Sequence, residues 1–226
     1  MPYRRTVLVE GEVYHVICRG VAKRPVFQSQ INYQRAFELV DYYRFSKPPI
    51  RFSHYKRLPS KQRKPFLKKL QKDHPLLVDI YAYCFMKNHI HFLVKQTAEK
   101  GISVFMNNFQ NSYAKYFNKI NESSGPVFQP MFRVVRVSDD AQMLHVSRYI
   151  HLNPVSAYLI EIDKLEDYRW TSFSEYLGKN QSRFCNPKPI LDFYKKRGEY
   201  RQFVYNQADY QRKLQDIKHL VLEKKP

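Results

Sequence analysis

Two apolar, β-rich runs, 79–86 and 89–95, are separated only by Lys87-Asn88, and this spacing predicts a β-hairpin. The rest of the chain has to fold around that antiparallel pair. Its second strand opens His89-Ile90-His91. Successive side chains of an extended strand point to opposite faces, so His89 and His91 share one face while Ile90, Phe92 and Val94 take the other. Two imidazoles held that way suit a shared metal ion. On spacing alone, a solvated polar strand face is the commoner origin of such a pair.

Other elements follow from periodicity. Val13 to Arg19 alternates and predicts a first strand, with His15 as an isolated structural histidine. Ile31, Phe37, Leu39, Val40 and Tyr43 give a helix over 30–45. The strongest helix runs from Gly101 to Ile120, its stripe being Ile102, Phe105, Met106, Phe109, Tyr113, Tyr116, Phe117 and Ile120. Core packing is the expected role of Tyr113 and Tyr116. Phe132 to Val137 predicts a fourth strand displaying Arg133 and Arg136, and a helix starts at Asp139 or Asp140. Strand, helix, strand pair, helix, strand is the order of an α+β, ferredoxin-like split β-α-β sheet, antiparallel and flanked by helices.

Two stretches stand outside that frame. From Arg44 to Lys72 the chain is rich in Lys and Arg and broken by prolines, which predicts a surface insertion over about 44–75 with a basic helix from Ser60 to Asp73. It is either a solvated charge run or a face for nucleic acid. Beyond Gly178 the sequence reads as a polar helical extension, 178–226, with Trp170, Phe173, Tyr176 and Leu177 folding back on the core domain, 1–177. Residues 1–11, with Arg4 and Arg5, read as a basic arm or a frayed terminus.

A net charge of +19 with 18 Tyr and 16 Phe favours a polyanionic partner, nucleic acid before an acidic membrane or a ribosome-type structural role. Cys18, Cys84 and Cys185 are too dispersed for a zinc motif and odd in number, which implies a reducing cytoplasm. No signal peptide or run of about 20 apolar residues is seen, so a soluble, cytoplasmic, nucleoid-associated protein without a membrane partner is expected.

The helix after the fourth strand contains Met143, Val146 and Ile150 as its expected buried stripe. His145, Tyr149 and Asn153, four residues apart, form a neighbouring one. A tyrosine and an amide therefore share a face. Asn153 precedes Pro154, so ending one helix and capping the next explains it equally well.

Met86-Lys-Asn-His-Ile-His-Phe-Leu-Val94, Tyr149-Ile-His-Leu-Asn-Pro-Val155, Gly11-Glu-Val-Tyr-His-Val with Arg19, and Gly125-Pro-Val-Phe-Gln-Pro-Met-Phe-Arg133 together resemble the REP-associated tyrosine transposases, relatives of the single-tyrosine HUH transposases. The resemblance covers most of residues 3–177. It implies a ferredoxin-like fold and a Mg- or Mn-dependent nuclease and strand transferase that cuts single-stranded DNA beside hairpins through a 5′-phosphotyrosine, without a nucleotide cofactor, as a monomer or homodimer. Carried onto this chain, Tyr149 is the nucleophile and His89, His91 and Asn153 are the metal ligands. Arg4, Arg5, Arg19, Lys87, Arg133, Arg136 and Arg148 are candidates for DNA contact, and His145 and His151 are possible auxiliaries. The chain departs from the family pattern at His151, where Glu or Gln is usual, at Lys87, where Pro is usual, and in its long basic insertion. A non-catalytic hairpin DNA- or RNA-binding protein on the same fold is the alternative. A replication initiator is disfavoured by the absence of a phosphate-loop motif.

Overall fold

The computed structural model describes residues 6–180, 184–209 and 211–212; Arg4 and Arg5 lie outside the described residues. In chain order come β1 (Val13–Arg19), α1 (Gln30–Tyr43), α2 (Phe52–Arg57), α3 (Ser60–Asp73), β2 (Val78–Met86), β3 (His89–Gln96) and α4 (Gly101–Ile120). They are followed by β4 (Arg133–Val137), α5 (Asp140–Ser156), α6 (Phe173–Tyr176), α7 (Lys188–Leu191) and α8 (Arg197–Tyr205). The strands hydrogen-bond in the order β2-β3-β1-β4, as one antiparallel sheet. Each helical crossover therefore joins strands that have one antiparallel strand between them, which is the split β-α-β arrangement expected from the order of elements.

Two compact units share the chain. The first holds Met1–Asp79, Lys87–His89 and Val94–Arg136, and the second Ile80–Met86, Ile90–Leu93 and Val137–Pro226. Neither has a boundary at residue 177. The described residues after Gly178 go with the second unit.

In the first unit α1 is capped by Ser29, whose side chain accepts the Asn32 N–H, and it packs on α4. Ala36, Leu39 and Val40 are buried, as are Phe105, Phe109 and Tyr113. Tyr113 is a core residue whose hydroxyl donates to the Val26 carbonyl at 2.6 Å. Gly101 starts α4 where a Cβ would overlap the Leu77 carbonyl oxygen. Because that obstacle is backbone, Gly101→Ala should destabilise the fold by about 2 kcal/mol or more, read from the urea midpoint.

The basic insertion differs from expectation. The helix over Ser60–Asp73 forms as α3, but α2 precedes it, and Phe52, Tyr55, Leu67 and Leu70 are buried. Tyr42 of α1 lies 5.2 Å from Tyr55 and 6.4 Å from Phe66, ring centre to ring centre, and Tyr55 and Phe66 are 5.6 Å apart. The stretch carries its own aromatic core, which charge and proline content conceal.

In the second unit the 80–86 and 90–93 segments are buried, except for the 6 % exposure of Tyr81 at most. The chain after α5 returns onto β2: Phe85 N–H donates to the Trp170 carbonyl, and Tyr83 N–H donates to Ser172 Oγ. Tyr83 Oη donates to Glu175 at 2.6 Å. Trp170, Phe173 and Tyr176 are buried as expected. The extension is more than a polar appendage, since Phe184, Ile190, Tyr200 and Val204 are buried too. Cys18, Cys84 and Cys185 are free thiols. Among the described residues, no helix is long and apolar enough to cross a membrane.

Candidate functional site

Asp139 caps α5 by accepting the Gln142 N–H at 2.7 Å. The buried stripe of α5 is Met143, Ser147 and Ile150, with Val146 only half-buried. Ser147 is drawn inward by polar contact, since its hydroxyl lies 3.0 Å from Tyr200 Oη. The helix then runs through Asn153 and Pro154 to Ser156. That overturns the capping explanation of Asn153. A residue inside a continuous helix has a helical neighbour on each side and nothing to cap.

The side chain of Asn153 is committed locally. Its Nδ2 donates to the Tyr149 carbonyl one turn earlier at 2.9 Å. A carbonyl can only accept, so this bond assigns the amide: nitrogen toward the backbone, Oδ1 away from it. Among the described residues Oδ1 accepts no hydrogen bond, although the residue is only 7 % exposed. Gln211 Nε2 donates to the same Tyr149 carbonyl at 3.2 Å. Tyr149 itself is half-buried, and its ring meets the His91 ring edge-on at 5.6 Å with an interplanar angle of 79°. All these residues belong to the second unit. The two stripes inferred separately from sequence, the strand histidine and the helix tyrosine, meet there.

His89 lies two residues before His91 on β3, in the first unit. Burial, aided by the Arg19 guanidinium, pushes its pKa down to about 4, so the ring is neutral at pH 7. Asn88 Nδ2 donates to the Lys23 carbonyl at 3.0 Å, which leaves Asn88 Oδ1 facing His89 Nδ1 at 2.5 Å. A neutral ring bonded to an acceptor through Nδ1 carries its hydrogen there. The lone pair is then on Nε2, the tautomer a second-shell carbonyl gives to a metal-binding histidine. Asn88 was legible only as a turn residue. Its side chain between the Lys23 carbonyl and His89 is what the sequence did not disclose.

The remaining candidates disperse. Arg19 is half-buried and acts electrostatically on His89, and Lys87 is exposed. Arg133 is exposed, while Arg136 is paired with Glu12 at 2.6 Å. Arg148 lies over Phe203 at 4.2 Å and contacts His145 Nδ1 at 2.6 Å, so His145 pairs with Arg148 and not with the Tyr149 face. His151 is fully buried. Its Nε2 lies 2.8 Å from Ser172 Oγ and its Nδ1 2.7 Å from Tyr200 Oη, so both ring nitrogens are taken by hydroxyls and its role is structural. His15 on β1 is buried too, and burial lowers its pKa to about 4.

Residues 55–153 match the family model described as "Transposase IS200 like". The match includes the hairpin with His89 and His91, and Tyr149 and Asn153 at its end. No curated protein matches the chain. A solved structure of a REP-associated tyrosine transposase bound to a REP hairpin is similar with a TM-score of 0.52 at 13% identity, over 82% of this chain and 98% of that one. Likeness at that identity speaks to the fold.

Proposed function

With the IS200-like transposase pattern running through residues 55–153 and ending on Asn153, we propose that the chain is a metal-dependent single-stranded DNA endonuclease and strand transferase that cuts beside DNA hairpins. The observation that carries this reading is the contact of His91 with Tyr149, a member of the strand histidine pair against the tyrosine of α5. Tyr149 Oη attacks the scissile phosphorus in line, and the bond to the 3′-oxygen breaks. The phenol proton is lost and the departing 3′-oxygen gains one. The product is a 5′-phosphotyrosine that keeps a phosphodiester, so a DNA 3′-hydroxyl can reverse the step and join strands without ATP.

His89, His91 and Asn153 are the proposed ligands of a divalent ion. A neutral His89 imidazole, with Nδ1 held by Asn88, and the Asn153 amide oxygen suit Mn²⁺ or Mg²⁺, which hold nitrogen and oxygen donors alongside water. When bound, the metal supplies polarisation of the phosphate and offsets its charge, which matters because a phenol with an ordinary pKa near 10 is a weak nucleophile at pH 7. Asn88 orients His89, and His91 fixes the edge of the Tyr149 ring.

The test is an end-labelled oligonucleotide with a hairpin and single-stranded flanks, run on a denaturing gel. Mn²⁺ or Mg²⁺ should give cleavage and a protein-linked band that EDTA removes, and His89→Ala and His91→Ala should each lower it by at least about 100-fold. Hairpin binding with no adduct under either ion, for wild type and variants alike, would reject the enzyme and leave a non-catalytic binding protein.

A further inference from the structure

The α3 helix has no place in the chemistry above, yet it carries the most one-sided charge in the chain. Between Asp41 and Asp73 there are eleven Lys and Arg and no carboxylate. Within α3, Lys61, Lys64, Lys68 and Lys72 recur at three- and four-residue steps, which puts them on one face, and all four are exposed. The opposite face is used up: Leu67 and Leu70 are buried, and Phe66 sits against Tyr42 and Tyr55. At about 1.5 Å per residue the lysine row is about 16 Å long. No described carboxylate pairs with any of the four, the first turn has no acid, and no side chain caps the helix. Like charges at these spacings, two of them near the positive end of the helix dipole, oppose the helix they sit on. A line of anions lying along the row removes that opposition.

We infer that the exposed face of α3 binds the phosphate backbone of duplex DNA independently of sequence. The inference rests on the reading above only for the duplex being a hairpin stem. Three features select this occupant. Lysine ammonium groups are point charges that neutralise phosphates without the bidentate geometry that reads base edges. Single-strand platforms need aromatic faces open to bases, and the one aromatic ring of α3, Phe66, is turned into the Tyr42 and Tyr55 cluster. An anionic bilayer would be gripped by exposed apolar residues beside the lysines, and α3 has no large exposed hydrophobic side chain.

The test is fluorescence anisotropy in EDTA, where cleavage cannot interfere, with a blunt duplex of about 20 base pairs across a salt series. Replacing Lys61, Lys64, Lys68 and Lys72 by Gln should lower the slope of log K against log salt by about 3 to 4, since each neutralised duplex phosphate contributes about 0.9. Replacing the same four by Arg should keep the wild-type slope, which shows that charge and not folding is read. An unchanged slope in the Gln variant overturns the inference. So does a loss confined to an unstructured single strand, or to vesicles containing phosphatidylserine. If the duplex slope falls while no adduct forms in the cleavage assay, the surface stands and the enzymatic reading fails.

Discussion

Tyr149→Phe should abolish the protein-linked DNA band and lower cleavage by at least about 10³-fold, with hairpin binding within about twofold of wild type. The substitution removes one oxygen and leaves the supports in place. The ring edge facing His91 is retained, and the Tyr149 carbonyl still receives the amide protons of Asn153 and Gln211. Tyr113, the buried tyrosine of the α4 stripe, is poorly suited to take over. It spends its proton on the Val26 carbonyl and has a phenol that burial raises far above its ordinary pKa. An adduct that survives in Tyr149→Phe would place the nucleophile elsewhere and remove the role assigned to α5.

Lowering the pH from 7 to 5 should cost the fold several kcal/mol, and His151→Gln should reduce that loss by about 2 kcal/mol. Burial holds His15 and His89 down to about 4 and His151 down to about 3, each from an ordinary value of 6.5. In the unfolded chain these rings take up a proton as the pH falls through 6.5; in the folded chain they do not until about 4 or below. The unfolded state therefore binds more protons in this window, and stability falls as the pH falls. At pH 5 the difference is roughly 2 kcal/mol per histidine, against a typical total of 5–15 kcal/mol. His151 makes the cleanest probe because both of its nitrogens are bonded to hydroxyls inside the second unit. Urea midpoints at the two pH values give the comparison, and only the difference between them matters, so any loss of stability in the variant at pH 7 cancels. Equal pH losses in wild type and His151→Gln would show that His151 is not neutral in the fold.

The sheet and the long helices were legible because each presents a recognisable pattern: near-alternation in β1 and β4, continuous apolar runs in β2 and β3, and a stripe along α4. Short elements left no such trace. α2 and α7 are six and four residues long, too short for periodicity to distinguish from loop. The lysines and prolines of the insertion masked Phe52 and Tyr55, and the polar composition of the extension masked Tyr200 and Val204. Tyr149 and His91 were legible as residue types at suitable spacing, but their contact depends on long-range pairing. Pro154 suggested a helix boundary after Asn153. It lies in the last turn, where the missing N–H deprives only Ile150 of a partner and the fold absorbs the cost. Asn88 and Gln211 escaped notice as supporting residues because the Lys23 and Tyr149 carbonyls that orient them are distant in sequence and meet them only in the folded chain.

The carbonyl of Tyr149 has one further consequence. Held by amides from its own helix and from Gln211, it anchors the main chain beneath the phenol. The freedom left to the proposed nucleophile is then torsional: two side-chain rotations, each with few staggered or planar wells. On the proposed chemistry, aiming the oxygen at a phosphorus is a choice among a few rotamers and not a displacement of α5, so part of the entropy of alignment is already lost on folding.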